Sequence, residues 1–109
     1  MATKKKSVKA TNLKPVVVRA YSGVFFGYLK SKRGGPETFA VELLNARHIW
    51  NWQSTGLPRK ALTVEDLALV GAGVGTKISG AVSLSLADAK VIVEATEESA
   101  ARFEALPCL

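Results

Sequence analysis

Residues 45–52 read Asn-Ala-Arg-His-Ile-Trp-Asn-Trp, and this octapeptide contains both tryptophans, the single histidine and an arginine of a 109-residue chain. Indole faces can stack on a nucleobase, and a guanidinium can grip a phosphate through a bidentate fork. In an extended segment side chains alternate between faces. The spacing therefore predicts Ala46, His48, Trp50 and Trp52 on one side, with Arg47, Ile49 and Asn51 on the other. Such a strand suits a core, a subunit interface or a base-stacking pocket. Arg19 and Tyr21, also two residues apart, predict a second cation–aromatic pair on one strand face. The competing reading makes the tryptophans core or interface, with the arginines lying along the surface or pairing with Glu42 or Glu94.

Other segments carry less chemistry. Gly71-Ala-Gly-Val-Gly75-Thr76-Lys77 has the glycines of a phosphate loop, but that motif needs Gly-Lys-Ser/Thr between a strand and a helix. Here the order is Gly-Thr-Lys and a strand pattern follows, which predicts a helix-to-strand connector. His48 has no Cys partner or paired carboxylate nearby in sequence. Glu97 and Glu98 suit the first turn of a helix, where acids meet the positive end of its dipole. No Ser/His/Asp, Cys/His or metal-ligand spacing is present, so a non-catalytic protein without cofactor or metal is expected.

The elements that position these residues read as α+β: a small antiparallel, sheet-dominated domain with two short helices. Val16–Tyr21 and Val24–Leu29 are β-rich around a Ser22-Gly23 break. Lys30–Glu37, with Gly34-Gly35, reads as a charged turn. Thr38–Leu44 alternates, and Asn45 is expected to end that strand or to turn into Arg47–Trp52, giving a meander of about four strands. Residues 54–61 read as a loop. Thr63 and Asp66 form a capping signature for a helix reaching Val70. Lys77–Leu86 and Lys90–Glu94 read as two further strands, before a closing helix capped by Thr96.

Composition bounds the function. With 48% apolar residues the chain reads as one globular domain. A domain of this size buries a thin core and often gains from oligomerisation. Charged residues interrupt every candidate membrane span, no apolar stretch follows the first lysines, and Cys108 is alone. The net charge is +6, but five of the cations (Lys4, Lys5, Lys6, Lys9, Lys14) sit in residues 1–14, read as a basic flexible arm preceding a single domain at 15–109. The rest is nearly neutral, whereas a protein that grips phosphate backbones usually carries a basic face on its folded body.

The runs Val17-Val-Arg-Ala-Tyr-Ser-Gly-Val-Phe-Phe-Gly-Tyr-Leu29, Asn45-Ala-Arg-His-Ile-Trp-Asn-Trp52 and Gly75-Thr-Lys-Ile-Ser79 resemble a family of phage proteins, the first-described kind of Thoeris anti-defence protein. The resemblance spans about Val16 to Phe103, and the Asn-Ala-Arg-(basic)-Ile-Trp-(aromatic)-Trp element is its specific part. His48 stands where a second arginine is usual, and Asn51 where tyrosine is usual. Arg59-Lys60 is an apparent insertion, and Val93-Glu-Ala-Thr96 replaces an Ile-Pro-Cys-Thr stretch. The resemblance implies a sponge: a homo-oligomer, dimer or hexamer, that binds cyclic ADP-ribose isomers without cleaving them. It also implies a second site for cyclic oligonucleotides, di- or trinucleotides, in some members. It points to Arg19, Lys77 and Arg102 for phosphate, with Tyr21 nearby, Ile78 and Asp88 beside base and ribose, and Arg47 at the second site. Trp50 and Trp52 are expected in subunit packing or stacking. The implied compartment is the cytoplasm of an infected bacterial host. Two other classes compete: a nucleic-acid-binding accessory protein working through its arm, and a purely structural oligomer.

Overall fold

A computed structural model describes residues 13–35 and 37–108. Its elements are β1 (Lys14–Ala20), β2 (Gly23–Gly34), β3 (Phe39–Asn51), α1 (Val64–Val70), β4 (Lys77–Ile78), β5 (Val82–Glu94) and α2 (Glu97–Ala105). The architecture is α+β, dominated by antiparallel strands. Pairings β2–β1, β1–β5, β5–β3 and β3–β2 run in a cycle, so four strands close on themselves, and β4 extends the outer edge of β3. Arg19 pairs with Val24 and Val24 with Ile49, while on the other side Ala20 pairs with Ala89 and Ala89 with Phe39. The ring thus meets β3 near opposite ends depending on direction. That large stagger is what lets so few strands close.

Three long strands replace the expected meander of four, because Asn45 is a bulge rather than a turn. Tyr28 faces Leu44 and Phe26 faces Arg47, so β3 carries an extra residue, and Asn45 takes it at φ 53°. Asparagine tolerates the left-handed region better than most residues. The bulge bends β3 and shifts its side-chain parity. Val41 and Leu43 point inward before it, and Ala46 does so after it. Gly27 sits opposite the bend, where an added Cβ would come within 3.1 Å of both Ala46 Cα and Leu43 Cβ. The charged run 30–34 is the second half of β2 rather than a turn. The expected strand over Lys77–Leu86 is broken after Ile78, and its later part is continuous with Lys90–Glu94 as β5.

The alternation divides the core in two. Val16, Val18, Ala20, Phe25, Val41, Leu43, Ala46 and Ala89 fill the ring. Val17, Phe26, Tyr28 and Ile49 face outward and are covered by Leu67, Val70 and Phe103 from the helices. Phe26 and Phe103 stack at 4.6 Å and are both fully buried. The α1 capping box forms as its sequence indicates, with Thr63 Oγ1 accepting the Asp66 N–H and the Asp66 carboxylate accepting the Thr63 N–H. Thr96 Oγ1 likewise accepts the Ser99 N–H and donates to Leu69 O, tying α2 to α1. No helix among the described residues is long and apolar enough to cross a membrane. The arm expected over residues 1–14 lies outside the described residues as far as Asn12, but Lys14 belongs to β1 and pairs with Glu94 at 3.2 Å.

Candidate functional site

Tyr21 and Ser22 make the two-residue turn between β1 and β2. Asp88 holds it: its carboxylate accepts the Ser22 N–H at 2.9 Å and Ser22 Oγ at 3.4 Å, and its carbonyl accepts the Tyr21 N–H at 3.3 Å. Arg19 is exposed two residues earlier, and Tyr21 is 73% exposed. Across from them β5 carries its own bulge. Arg19 faces Val91 and Ala20 faces Ala89, which leaves Lys90 unpaired in the ladder. Its ammonium lies 5.8 Å from the centroid of Tyr21 and 3.3 Å from the carbonyl of Glu37. Three residues named from the sequence, Arg19, Tyr21 and Asp88, therefore gather at one turn. Lys90 joins them, and only the bulge, invisible in its neighbours' types, brings it there.

An aromatic ladder adjoins this turn. Phe25 stacks on His48 at 4.6 Å, and His48 meets Trp50 at 5.2 Å. The ladder runs from the buried Phe25 to a Trp50 that is 56% exposed. Gly23, at φ 145°, lies so close to the imidazole that a Cβ there would sit 2.5 Å from His48 Nε2. Only glycine lets the turn rest on the ladder. Trp52 does not share this surface. β3 ends at Asn51, after a register shift between Ile49 and Asn51, and Trp52 packs into the helix-side core with Nε1 donating to Ala61 O at 2.9 Å. The expectation that both indoles share a face is corrected by that shift.

Two other expected site residues are core. Arg47 is 7% exposed; its Nε donates to Ser79 O at 2.7 Å and its Nη1 to Phe103 O at 2.5 Å. It joins β3 to the β4–β5 connection and to α2, with its guanidinium held by protein carbonyls instead of facing a ligand. Ile78 is fully buried among the helix-side apolar residues, so it touches no solvent-filled space in a single copy.

Arg102 lines a cleft of about 350 Å³ between the 55–57 loop, the 72–76 loop and the end of α2. Its other walls are mainly apolar, with Leu57, Val74, Leu106 and Pro107 among them. Arg102 Nη1 donates to Val70 O at 2.8 Å and to Glu98 at 2.5 Å, and the side chain remains 32% exposed. The glycine run is a wall, not a phosphate cradle. The N–H groups of Gly73, Val74 and Thr76 go to the carbonyls of Gln53, Thr55 and Gly73. At Gly73 a Cβ would fall 2.2 Å from Thr55 O, so the two loops can meet this closely only without a side chain. Lys77 follows this wall and is exposed on β4.

The cations named for phosphate thus divide between two places. Arg19 lies on β1 and Lys77 on β4, with β2 and β3 between them. No group of three or more His, Cys, Asp or Glu that could hold a metal occurs among the described residues. Tyr28 donates to the Glu104 carboxylate, and burial, then that hydrogen bond and charge, push its phenol well above the usual tyrosine range. This pair ties β2 to α2, with Glu104 exposed at the surface.

A family model described as Domain of unknown function (DUF6948) matches residues 13–103. No curated protein and no solved structure matches the chain.

Proposed function

The chain belongs to the DUF6948 family, and from that premise we propose that it binds and sequesters a cyclic ADP-ribose-type nucleotide without cleaving it, as its resemblance to phage anti-defence sponges implies. The observation that carries this reading is the Arg102 cleft: an apolar slot of about 350 Å³ with one guanidinium on its wall and Lys77 just beyond it. Ligand sites are typically concave and apolar, with a few polar groups that fix orientation. A nucleobase suits the apolar walls, and a pyrophosphate suits Arg102. The slot is at the small end of the ligand-pocket range, so a cyclic ADP-ribose fills it with part of its length outside. The remainder is left for a second copy to cover. Sequestration needs affinity alone, which fits a site built from rings and cations without a positioned nucleophile and base.

Isothermal titration calorimetry with purified cyclic ADP-ribose isomers tests the reading. At least one isomer is expected to bind, to weaken tenfold or more in Arg102→Ala, and to be recovered intact from the heat-denatured complex. The absence of heat with every isomer overturns the reading, and recovery of a linear product overturns its non-catalytic part.

A further inference from the structure

β5 has two neighbours, but along different halves. Residues 82–89 pair with β3 on one side, and residues 89–94 pair with β1 on the other. Among the described residues no strand lies along the second side of 82–88. The same is true of Lys30–Gly34 at the end of β2, which pairs with β3 but extends past its partner β1. The described residues therefore leave three open strand edges besides the short β4, the third being Lys90–Glu94 on its β3 side, charged at both ends.

These edges differ in chemistry. Lys30, Lys32 and Arg33 place three cations on the β2 edge, the usual protection against unwanted strand addition. From Gly80 to Ala87 the β5 edge has no charge and no proline. Its sequence, Val82-Ser-Leu-Ser-Leu-Ala87, alternates strictly, and residues 81–83, 85 and 87 are exposed, Val82 at 53%. No covering helix protects it, the irregularity opposite Val82–Leu84 belongs to β3, and the edge's own extra residue comes only between Leu86 and Ala89. Unpaired backbone donors and acceptors on such an edge are a template for another strand.

We infer that the β5 edge pairs antiparallel with the β5 edge of a second copy, joining two rings through one continuous sheet about a two-fold axis. A second copy is the occupant the pattern fits. A two-fold axis at Leu84 or at Ser85 sets apolar residues against apolar ones on one face, and Ser against Ser or Ala on the other, with no like charges opposed within 82–87. Pairing with the β2 edge would build an open chain of subunits, and the cations there oppose it. The isologous arrangement closes at two. This geometry also deepens the proposed binding site, on which the following point alone depends. The antiparallel direction brings the Asp88 end of one edge, with Tyr21 and Lys90, beside the Val82 end of the other, next to the Ser79–His48 hydrogen bonds that lead to Trp50. The turn cluster of each copy then borders the aromatic ladder of the other.

Sedimentation equilibrium of the full chain tests the interface without any ligand. Wild type is expected at twice the chain mass. The double variant Ser83→Lys/Ser85→Lys, at two exposed positions, is expected at the monomer mass with unchanged circular dichroism. Amide hydrogen exchange supplies a readout independent of folding changes: amides within 82–88 are expected to gain protection as wild-type concentration rises, whereas those of 30–34 do not. A monomeric wild type at millimolar concentration overturns the inference. So does a double variant that keeps the wild-type mass, or concentration-independent exchange over 82–88. Ligand binding measured on the same variants keeps this outcome apart from the proposed function: a dimer that binds no nucleotide retains the interface and loses the sponge.

Discussion

Replacing Arg47 with methionine separates a structural arginine from a ligand-binding one. Methionine keeps most of the apolar stem but removes the donors that reach Ser79 O at 2.7 Å and Phe103 O at 2.5 Å. The site is 7% exposed, so water does not readily replace them. Each buried carbonyl that loses its donor costs about 1–3 kcal/mol, and the 3.4 Å bond from the Leu106 N–H is too long to replace the one that Phe103 O loses. Ser79 is partly accessible, so its share belongs at the lower end, and a total of about 3 kcal/mol follows. For 109 residues the unfolding entropy near 60 °C is roughly 0.23 kcal/mol per kelvin, which converts that loss to a fall in Tm of about 13 °C. Thermal unfolding followed by circular dichroism measures it. Arg47→Lys is expected to fall between the two, because an ammonium on a shorter stem reaches one carbonyl but lacks the guanidinium fork. A decrease below about 4 °C for Arg47→Met would refute the assignment and return Arg47 to the candidates for ligand contact.

Phe103→Ala removes a fully buried ring stacked on Phe26 and is expected to cost about 3–5 kcal/mol, read from the urea midpoint. Thr63→Ala deletes the α1 cap and is expected to cost about 1 kcal/mol by the same measurement. The Tyr28 phenol is held protonated in the fold by burial and by Glu104. Its folded pKa lies above the unfolded one, so its contribution is complete below about pH 10 and declines as pH rises further. Tyr28→Phe is expected to flatten the alkaline loss of stability; equal slopes for the two proteins above pH 10 would contradict this. The Asp66 carboxyl is held below the usual range by the Leu62 backbone N–H first, then by Thr63 and Arg59. Its contribution is present above about pH 4 and lost as pH falls through the lowered value, so Asp66→Asn is expected to reduce the acid dependence of unfolding.

The parts of the fold written in local chemistry were legible. Thr63 and Asp66 mark α1, Thr96 with Glu97 and Glu98 marks α2, the β-branched run Val16–Val18 marks a strand, and the alternation of Thr38–Leu44 marks a half-buried one. Asn45 was not, because asparagine is equally at home in a turn and at a bulge, and only the β2 partner distinguishes them. The consequence reached the site. Parity counted along residues 46–52 gives Arg47 a face of its own, but not that α2 covers this face and supplies the Phe103 carbonyl from 56 positions away. Asp88 bonds the Tyr21–Ser22 turn, with Arg19 two residues before it, yet Lys90 needed the β5 bulge to reach Tyr21. The charged run 30–34 looked like a turn because strands with consecutive cations are uncommon. Its place at an open edge supplies the physical reason for them.

What the structure does with its cations narrows where an anion can bind. Lys14 pairs with Glu94, Arg59 with Asp66, and Arg47 with two carbonyls. The Lys30–Arg33 run lies along a strand edge, with Lys32 5.2 Å from the Phe39 centroid. Arg102 uses one guanidinium nitrogen on Val70 and Glu98 while its side chain keeps partial exposure beside an apolar-walled cleft. An anchored guanidinium is a better anion partner than a mobile one, since its orientation is already fixed before binding. The competing attraction of Glu98 then becomes informative. Removing that carboxylate keeps the Val70 bond and frees the nitrogen for phosphate, so Glu98→Gln strengthens nucleotide binding if Arg102 meets the anion, and leaves it unchanged if the messenger sits only at the Tyr21 turn.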